Sequence, residues 1–280
     1  MKTMKLQDKL KQVRAQQGAL LATNFYNFET LKGVVLAAKA TNSSIILQLT
    51  QSSIDYMSLP VAVKMGRSML EEYGVEGFIH LDHGGSVELA KRCIDAGFDS
   101  VMIDASEEPI DKNIKITQKV VRYAEKAGIN VEAELGYIAK LGQDKDKLNF
   151  TEPADAKRFV DETGVNALAI SIGSAHGFYT QEPKLDMERL SLIRKATDVC
   201  LVLHGSSGIP HDQLQEAVVR GICKINLATE IKNIFMQTLK NVLISSDEID
   251  LRKVFPKATD QVIALVSEKL EVVKSQKVAL

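Results

Sequence analysis

The sequence has few cysteines, no excess of charge and no long apolar run. The three cysteines, Cys93, Cys200 and Cys223, form no CxxC pair and lie in apolar contexts, which indicates buried, reduced thiols. The formal net charge is −1 without blocks of like charge, which argues against nucleic acid or a membrane surface as a partner. No run approaches the ~18 apolar residues of a membrane span. The charged N-terminal segment lacks the apolar core of a signal peptide, so we expect a cytoplasmic protein.

Short apolar runs rich in Ile, Val, Leu and Ala alternate with longer amphipathic segments along the chain. The runs predict eight strands, at 19–24, 44–49, 77–82, 100–104, 130–135, 167–172, 200–205 and 224–228. Near-continuous apolar strands separated by helices favour a parallel sheet that is covered by helices. Eight repeats in 280 residues predict an α/β fold of the (β/α)8 TIM-barrel type, and a doubly wound sheet is the alternative.

The same pattern predicts how the rest of the chain is organised. No low-complexity linker interrupts the sequence, so we expect a single barrel domain over residues 1–280. Leu6, Leu10 and Val13 share one helical face, which predicts a leading helix over residues 1–17 across the bottom of the barrel. Helical periodicity over 230–243 and 259–275 predicts a C-terminal helical extension.

Three of the five histidines stand at or just past the end of a predicted strand and directly precede a glycine. They are His83 in FIHLDHG, His176 in ISIGSAHG and His204 in LVLHG. Three imidazoles from separate strand ends are what a catalytic metal site requires, because they leave one position open for substrate. The alternative is that each is a polar residue satisfied by a neighbour at a strand end. His80, inside strand three, is expected to be packed, and His211 to be solvated.

Other polar residues stand at the same strand end as His83 or at the ends of strands four and five. Asp82 directly precedes His83, and a carboxylate beside a metal can transfer a proton to or from a substrate hydroxyl. The other interpretation is that Asp82 holds a histidine tautomer. Asp104 and Glu134 could form a second cation position or brace the histidines, and their spacing does not separate these hypotheses.

Two Gly/Ser/Thr-containing segments follow strands seven and eight. HGSSGIP (204–210) and NLATE (226–230) both run toward a helix. Backbone amides and hydroxyls at these places form the usual phosphate site of such barrels. The segment 137–153 is long, polar and poorly periodic, which is typical of a lid or binding loop and equally of a surface excursion.

Together these motifs resemble the class II, metal-dependent ketose-bisphosphate aldolases, in the branch that contains the fructose- and tagatose-1,6-bisphosphate aldolases. The matching stretches, in the family's order, are LDHG (81–84), VEAELG (131–136), TGVNALAISIGSAHGFY (163–179), EPKLDMERL (182–190), LVLHGSSGIP (201–210) and GICKINLATE (221–230). The resemblance covers most of the predicted barrel.

The resemblance implies roles for particular residues. His83, His176 and His204 would hold a divalent ion, zinc or another metal, and Asp104 with Glu134 would match a second cation position. Asp82 would be the acid/base at the C4 hydroxyl. Substrate contacts are implied for Asn24, Thr50, Gly177, Gly205, Ser206, Ser207, Asn226, Leu227, Ala228, Thr229 and Arg252. Arg252 would reach the distal phosphate from a partner subunit in a homodimer or homotetramer.

The implied activity is reversible cleavage of a ketose bisphosphate to dihydroxyacetone phosphate and glyceraldehyde 3-phosphate. A metal-stabilised enediolate would carry the reaction, without a lysine Schiff base. The alternatives are an aldolase for another ketose phosphate, a non-catalytic barrel that binds sugar phosphates, and a metal-dependent hydrolase. The presence of Asp82 together with three histidines argues against a protein that only binds sugar phosphates, because binding needs no proton-transfer group. The predicted phosphate site after strands seven and eight argues against a hydrolase, because metal-dependent hydrolysis does not require it.

The sequence departs from the family pattern at several positions. Thr180 stands where the family has a lysine, Thr50 where it has a serine, and Ser206 where it has a glycine. The stretch AKLGQD lacks the usual acid that deprotonates the substrate carbon, and Asp144 is the nearest candidate. These changes leave the identity of the sugar open more than the reaction type.

Overall fold

Eight parallel strands follow one another around a closed barrel in chain order. The computed structural model describes residues 4–136, 138, 150–179 and 183–274. The strands are β1 (Leu20–Asn24), β2 (Ile45–Leu49), β3 (Gly77–Gly84), β4 (Ser100–Ile103), β5 (Asn130–Leu135), β6 (Ala167–Ile170), β7 (Cys200–Leu203) and β8 (Ile222–Leu227). Parallel pairing of β1 with β8, in which Leu21 lies opposite Ile225, closes the barrel. The predicted (β/α)8 fold is confirmed.

Helices separate the strands and cover the outside of the barrel. They are α1 (Leu6–Ala15), α2 (Phe28–Ala40), α3 (Gln51–Met57), α4 (Leu59–Tyr73), α5 (Val87–Asp95), α6 (Ile110–Ala127), α7 (Pro153–Thr163), α8 (Met187–Ala196), α9 (His211–Val219), α10 (Thr229–Ser245) and α11 (Leu251–Val273). No helix in the described part of the chain is long and apolar enough to span a membrane.

The burial of the strands explains their apolar composition. Every strand residue is buried except Gly77 and His83, because side chains on one face pack inside the barrel and those on the other pack against helices. The three cysteines are buried and free, as predicted.

Helix α1 lies across the end of the barrel where the strands begin. Its buried Leu6 and Leu10 pack with residues at the strand starts, including Leu20, Phe78 and Cys223. The predicted leading helix is therefore present, although α1 spans Leu6–Ala15 rather than residues 1–17. Because this end is filled by apolar side chains, the opposite rim is the one that can receive a ligand.

Candidate active site

A cavity of about 490 Å³ opens at the rim where the strands end. Most of the site residues predicted from the sequence line this cavity. They are Asn24, Thr50, Asp82, His83, Asp104, Glu134, His176, Gly177, His204, Gly205, Ser207, Asn226, Ala228 and Thr229. The barrel therefore brings together residues that are far apart in the sequence.

The three glycine-followed histidines form one cluster in this cavity. The ring centroids of His83 and His204 lie 4.8 Å apart, those of His83 and His176 4.9 Å, and those of His176 and His204 5.9 Å. One ligating atom from each lies within 4.8 Å of the others. Such a set of three imidazoles beside open space can hold a zinc ion with one free coordination position.

Carboxylates fix the orientation of two of the imidazoles. His83 donates through Nδ1 to Asp104 Oδ2 at 2.7 Å, and His204 donates through Nε2 to Glu132 Oε1 at 2.9 Å. The remaining nitrogens, His83 Nε2 and His204 Nδ1, lie 3.0 Å apart. Carboxylate–histidine pairs of this kind accompany metal sites because they fix the tautomer and raise the basicity of the ligand.

The pKa values of His83 and His204 are also compatible with a metal site. Burial opposes protonation of His83, but the Asp82 charge and the Asp104 hydrogen bond raise its pKa to about 9. Burial and the positive charge of His83 hold the pKa of His204 well below its ordinary value. Protonated His83 can thus donate to neutral His204, and a divalent ion can take the place of that shared proton. The donor set therefore fits a metal.

The backbone at His83 directs its side chain into the cavity. His83 has a φ of 48°, in the left-handed region that non-glycine residues seldom adopt. The pairing of β3 with β4 shifts register between Leu81 and Gly84, and such a bulge re-aims a side chain. Gly84 is required there, because a Cβ would lie 2.4 Å from the carbonyl oxygen of Met102.

Asp82 is buried beside the histidines and held by two amides. Asn24 Nδ2 donates to Oδ2 at 2.9 Å, and Asn226 Nδ2 donates to Oδ1 at 3.3 Å. Burial opposes ionisation, yet the positive charge of His83 and of more distant groups keeps the Asp82 pKa below its ordinary value. The geometry leaves a fixed, ionised carboxylate that borders the cavity.

A second group of potential ligands shares His83. Ligating atoms of His83, Asp104 and Glu134 lie within 4.8 Å of one another. Among the described residues, buried Glu134 Oε2 has no hydrogen-bond partner. Burial and the charge of Asp104 raise the pKa of Glu134 to about 8. An unpartnered carboxylate oxygen beside a second carboxylate is a site that a cation would satisfy.

The segments after β6 and β7 are tied together where they border the cavity. Tyr179 accepts from the backbone N–H of Ala175 at 2.7 Å and donates to the carbonyl of Gly205 at 2.9 Å. Gly205 has a φ of 67°, and a Cβ would lie 2.4 Å from the Ala175 carbonyl oxygen. These contacts bring the chain next to His176 against the chain next to His204.

Some of the predicted substrate residues lie away from the cavity wall. Ser206 is buried and donates to the Asn226 carbonyl, and the Leu227 side chain belongs to the apolar core. Arg252 is 90% exposed and pairs with Asp250 at 3.0 Å. It borders another cavity, so this chain does not bring it to its own site. Thr180 and Asp144, with most of the predicted 137–153 loop, lie outside the described residues.

A buried network of charged and polar side chains lies beneath the histidines. The sequence pattern did not predict it. Lys224 donates to both oxygens of Glu132, at 3.0 and 2.7 Å, and to His80 Nε2 at 3.3 Å. His80 in turn donates through Nδ1 to Ser100 at 2.8 Å. Charged residues inside the otherwise apolar runs VEAEL and KINLA were the available signal, because an ion is buried only when it is paired.

Comparisons with known proteins agree with the resemblance seen in the motifs. The family model for class-II fructose-bisphosphate aldolase matches residues 4–277. A fructose-bisphosphate aldolase of Geobacillus stearothermophilus is 38% identical over 255 residues, 88% of each protein. The crystal structure of the YdjI aldolase of Escherichia coli K12 superimposes with a TM-score of 0.87 at 32% identity, covering 97% of both chains. A putative fructose-1,6-bisphosphate aldolase from Coccidioides immitis gives a TM-score of 0.88 at 27% identity, over 99% of this chain and 98% of that one. The chain therefore belongs to the class II fructose-bisphosphate aldolase family, whose members are lyases of carbohydrate metabolism.

Proposed function

We propose that this protein reversibly cleaves fructose- or tagatose-1,6-bisphosphate to dihydroxyacetone phosphate and glyceraldehyde 3-phosphate. The observation that carries the proposal is the cluster of His83, His176 and His204 beside the buried carboxylate of Asp82. Cleavage of a carbon–carbon bond next to a hydroxyl requires a bound metal ion and a group that takes the hydroxyl proton, and this cavity offers residues for both.

The three histidines would hold a divalent ion, with zinc as our proposal because imidazole ligands suit it. When bound, the ion supplies Lewis-acid stabilisation of the negative charge that develops as the bond between C3 and C4 breaks. Asp104 and Glu132 keep the imidazoles of His83 and His204 in the orientation that ligation needs. Asp104 and Glu134 would contribute to a second cation position.

Asp82 would act as the base in cleavage and the acid in condensation. Asn24 and Asn226 fix its carboxylate, and its pKa is lowered, so it is ionised near neutral pH. It would take the proton of the C4 hydroxyl as the aldehyde forms and return that proton in the reverse reaction. A fixed, desolvated base of this kind needs little reorganisation when the proton moves.

Two segments of the rim would bind the dihydroxyacetone phosphate half. The first comprises Gly177, Gly205 and Ser207, and the second comprises Asn226, Ala228 and Thr229 where α10 begins. Backbone amides and hydroxyls at a helix start stabilise a phosphate. Asn24 and Thr50 would contact the remainder of the sugar from β1 and the segment after β2.

We also propose that the protein is a homodimer or homotetramer in which Arg252 reaches a neighbouring site. The exposed apolar side chains of Ile244, Ile249 and Leu251 surround the connection between α10 and α11, next to Arg252. Contiguous exposed apolar side chains often mark an interface between protein chains.

The direct test is a cleavage assay of purified protein with both bisphosphates and with other ketose phosphates. We expect the zinc-loaded protein to cleave at least one bisphosphate, a chelator to abolish cleavage, and added zinc to restore it. Borohydride in the presence of substrate should not inactivate the protein, since no Schiff base forms. Cleavage that resists the chelator would refute the metal mechanism, and a zinc-loaded protein that cleaves no ketose phosphate would refute the proposed activity.

A further inference from the structure

Lys224 places its charge inside the barrel rather than at the rim. In the pairing of β7 with β8, β8 advances from Ile222 to Lys224 while β7 advances by one residue, and such a bulge re-aims side chains. The ammonium contacts Glu132 on β5 and His80 on β3, although the strands beside β8 are β1 and β7. The lysine therefore crosses the interior of the barrel, where its side chain is fully buried.

The three N–H donors of this ammonium are all used by neighbouring side chains. Two are directed at Glu132, at 3.0 Å from Oε1 and 2.7 Å from Oε2, and the third at His80 Nε2, 3.3 Å away. Neither Lys224 nor Glu132 is among the residues that border the rim cavity. The lysine therefore has no donor left for a substrate, and its effect on the site passes through the side chains that it holds.

Glu132 connects this lysine to the histidine cluster. Its Oε1 also accepts from His204 Nε2 at 2.9 Å, and both side chains are fully buried. With the proton on Nε2, the lone pair of His204 is on Nδ1, which lies 3.0 Å from His83 Nε2. A buried carboxylate stays ionised and in place only when a cation compensates its charge. Lys224 provides this compensation at both oxygens of Glu132.

We propose that Lys224 is a positioning residue of the metal site, whose ammonium holds the Glu132 carboxylate against His204 Nε2 and so keeps the Nδ1 lone pair of His204 available to the ion. This inference rests on the proposed function, in which His204 is a metal ligand. Without the ammonium, Glu132 would take a proton or turn away, and its hydrogen bond to His204 would weaken. His204 would then also populate the tautomer with the proton on Nδ1, and that nitrogen could not bind a metal.

The test compares Lys224→Met with Lys269→Met. Lys269 on α11 is also buried and pairs with Glu230 at 3.2 Å, so it controls for the loss of a buried ion pair elsewhere. Competition with a chelating dye should give a zinc Kd about 10–100-fold higher for Lys224→Met and unchanged for Lys269→Met. In zinc-free protein, NMR of the ring nitrogens should show His204 protonated on Nε2 in the wild type and in Lys269→Met, and a mixture of tautomers in Lys224→Met.

A second substitution separates the charge of Lys224 from its packing. Adding Glu132→Gln to Lys224→Met removes the unpaired carboxylate but keeps an acceptor for His204, so this double variant should regain the wild-type tautomer and most of the zinc affinity. A folded Lys224→Met with the tautomer and zinc affinity of the wild type would overturn the inference, as would a double variant no better than Lys224→Met.

The same measurements remain decisive if Lys224→Met alone does not fold. The double variant is then compared with Lys224→Met combined with Glu132→Leu, which offers His204 no acceptor. Only the variant with glutamine should keep the wild-type tautomer, and equal tautomers and equal zinc affinity in both would overturn the inference. A wild type that binds no zinc would instead refute the proposed ligand set, and the tautomers of the zinc-free proteins would still decide the role of Lys224.

Discussion

Amides from two different strands hold the two carboxylate oxygens of Asp82. We predict that Asp82→Asn, which keeps the size of the side chain but cannot take a proton, lowers kcat by about 10²–10⁴, the usual contribution of a general acid–base residue. Zinc content, measured by metal analysis, should stay at the wild-type level, because the three histidines are intact. Loss of zinc in parallel with activity would show instead that Asp82 acts by holding the ion.

His80 makes the stability of the protein depend on pH. Burial and the Lys224 charge hold its pKa well below the ordinary value of about 6.5 in the folded state. The unfolded chain therefore binds a proton that the folded protein excludes. The contribution of neutral, buried His80 to the free energy of unfolding is fully present above about pH 6.5 and falls below that pH, by up to about 1.4 kcal/mol per pH unit.

The measurement is urea unfolding at several values between about pH 7.5 and about pH 5.5. We expect His80→Gln to show a shallower fall in the free energy of unfolding than the wild type, whatever its stability at the upper pH. His211→Gln, which removes a half-exposed histidine on α9, serves as the control. Parallel curves for the wild type and His80→Gln would contradict the prediction.

The sequence predicted rim residues better than it predicted the groups beneath them. His83, His176 and His204 come after apolar runs, so their position at a strand end could be inferred from the order of residues alone, although their role as ligands stays a prediction. Glu132 and Lys224 are inside strands and 92 residues apart. Their pairing depends on which strands face each other across the barrel, and one sequence does not contain that information.

At the scale of elements, the turn between β7 and α9 requires glycine at position 205, where a Cβ would not fit. Gly205 and Gly208 both have positive φ, 67° and 86°. A Cβ at Gly205 would meet the Ala175 backbone at 2.4 Å, whereas at Gly208 the nearest atom is a Tyr179 ring carbon at 3.4 Å. Alanine at either position incurs the backbone cost of about 1–2 kcal/mol, but only Gly205→Ala adds steric overlap.

We therefore predict that Gly205→Ala destabilises the protein by about 1–3 kcal/mol more than Gly208→Ala. Because Ala175 and Gly205 are the neighbours of His176 and His204, Gly205→Ala should also bind zinc more weakly. Thermal unfolding and competition for zinc with a chelating dye measure the two effects. Equal stability and equal zinc affinity of the two variants would show that the turn can move without displacing the histidines.

The ends of the strands and helices could be predicted from the sequence where a single physical signal determined them. All eight strands were predicted within two residues of their observed ends, because each is an apolar run. Helix α11 begins at Leu251 rather than near residue 259, with Pro256 inside it and Asp250 as its N-cap. A proline at the sixth position of a helix removes one hydrogen bond to the preceding turn, and α11 continues through it. The separate helix α3, capped by Thr50, was not predicted.

At the scale of the molecule, an ion held by His83, His176 and His204 would join strands or strand ends from three parts of the barrel. We predict that zinc raises Tm and a chelator lowers it, since a ligand that binds only the folded state adds about 2.7 kcal/mol at a concentration 100 times its Kd. His176→Ala should lose most of this response, and His211→Ala should retain it. The readout is thermal unfolding with and without zinc. A Tm that is the same in zinc and chelator would contradict the ligand assignment.

Both terminal helices are anchored at the end of the barrel opposite the cavity. Helix α1 fills that end with Leu6 and Leu10, and α11 reaches it where the Val273 carbonyl accepts from the Ala19 backbone N–H at 2.9 Å. Helices α1 and α11 thus lie at one end of the barrel, and the proposed substrate cavity opens at the other end. A fusion partner or a surface linkage attached beyond either helix would therefore sit away from the substrate entrance, so the protein can be immobilised with the rim cavity facing the solution.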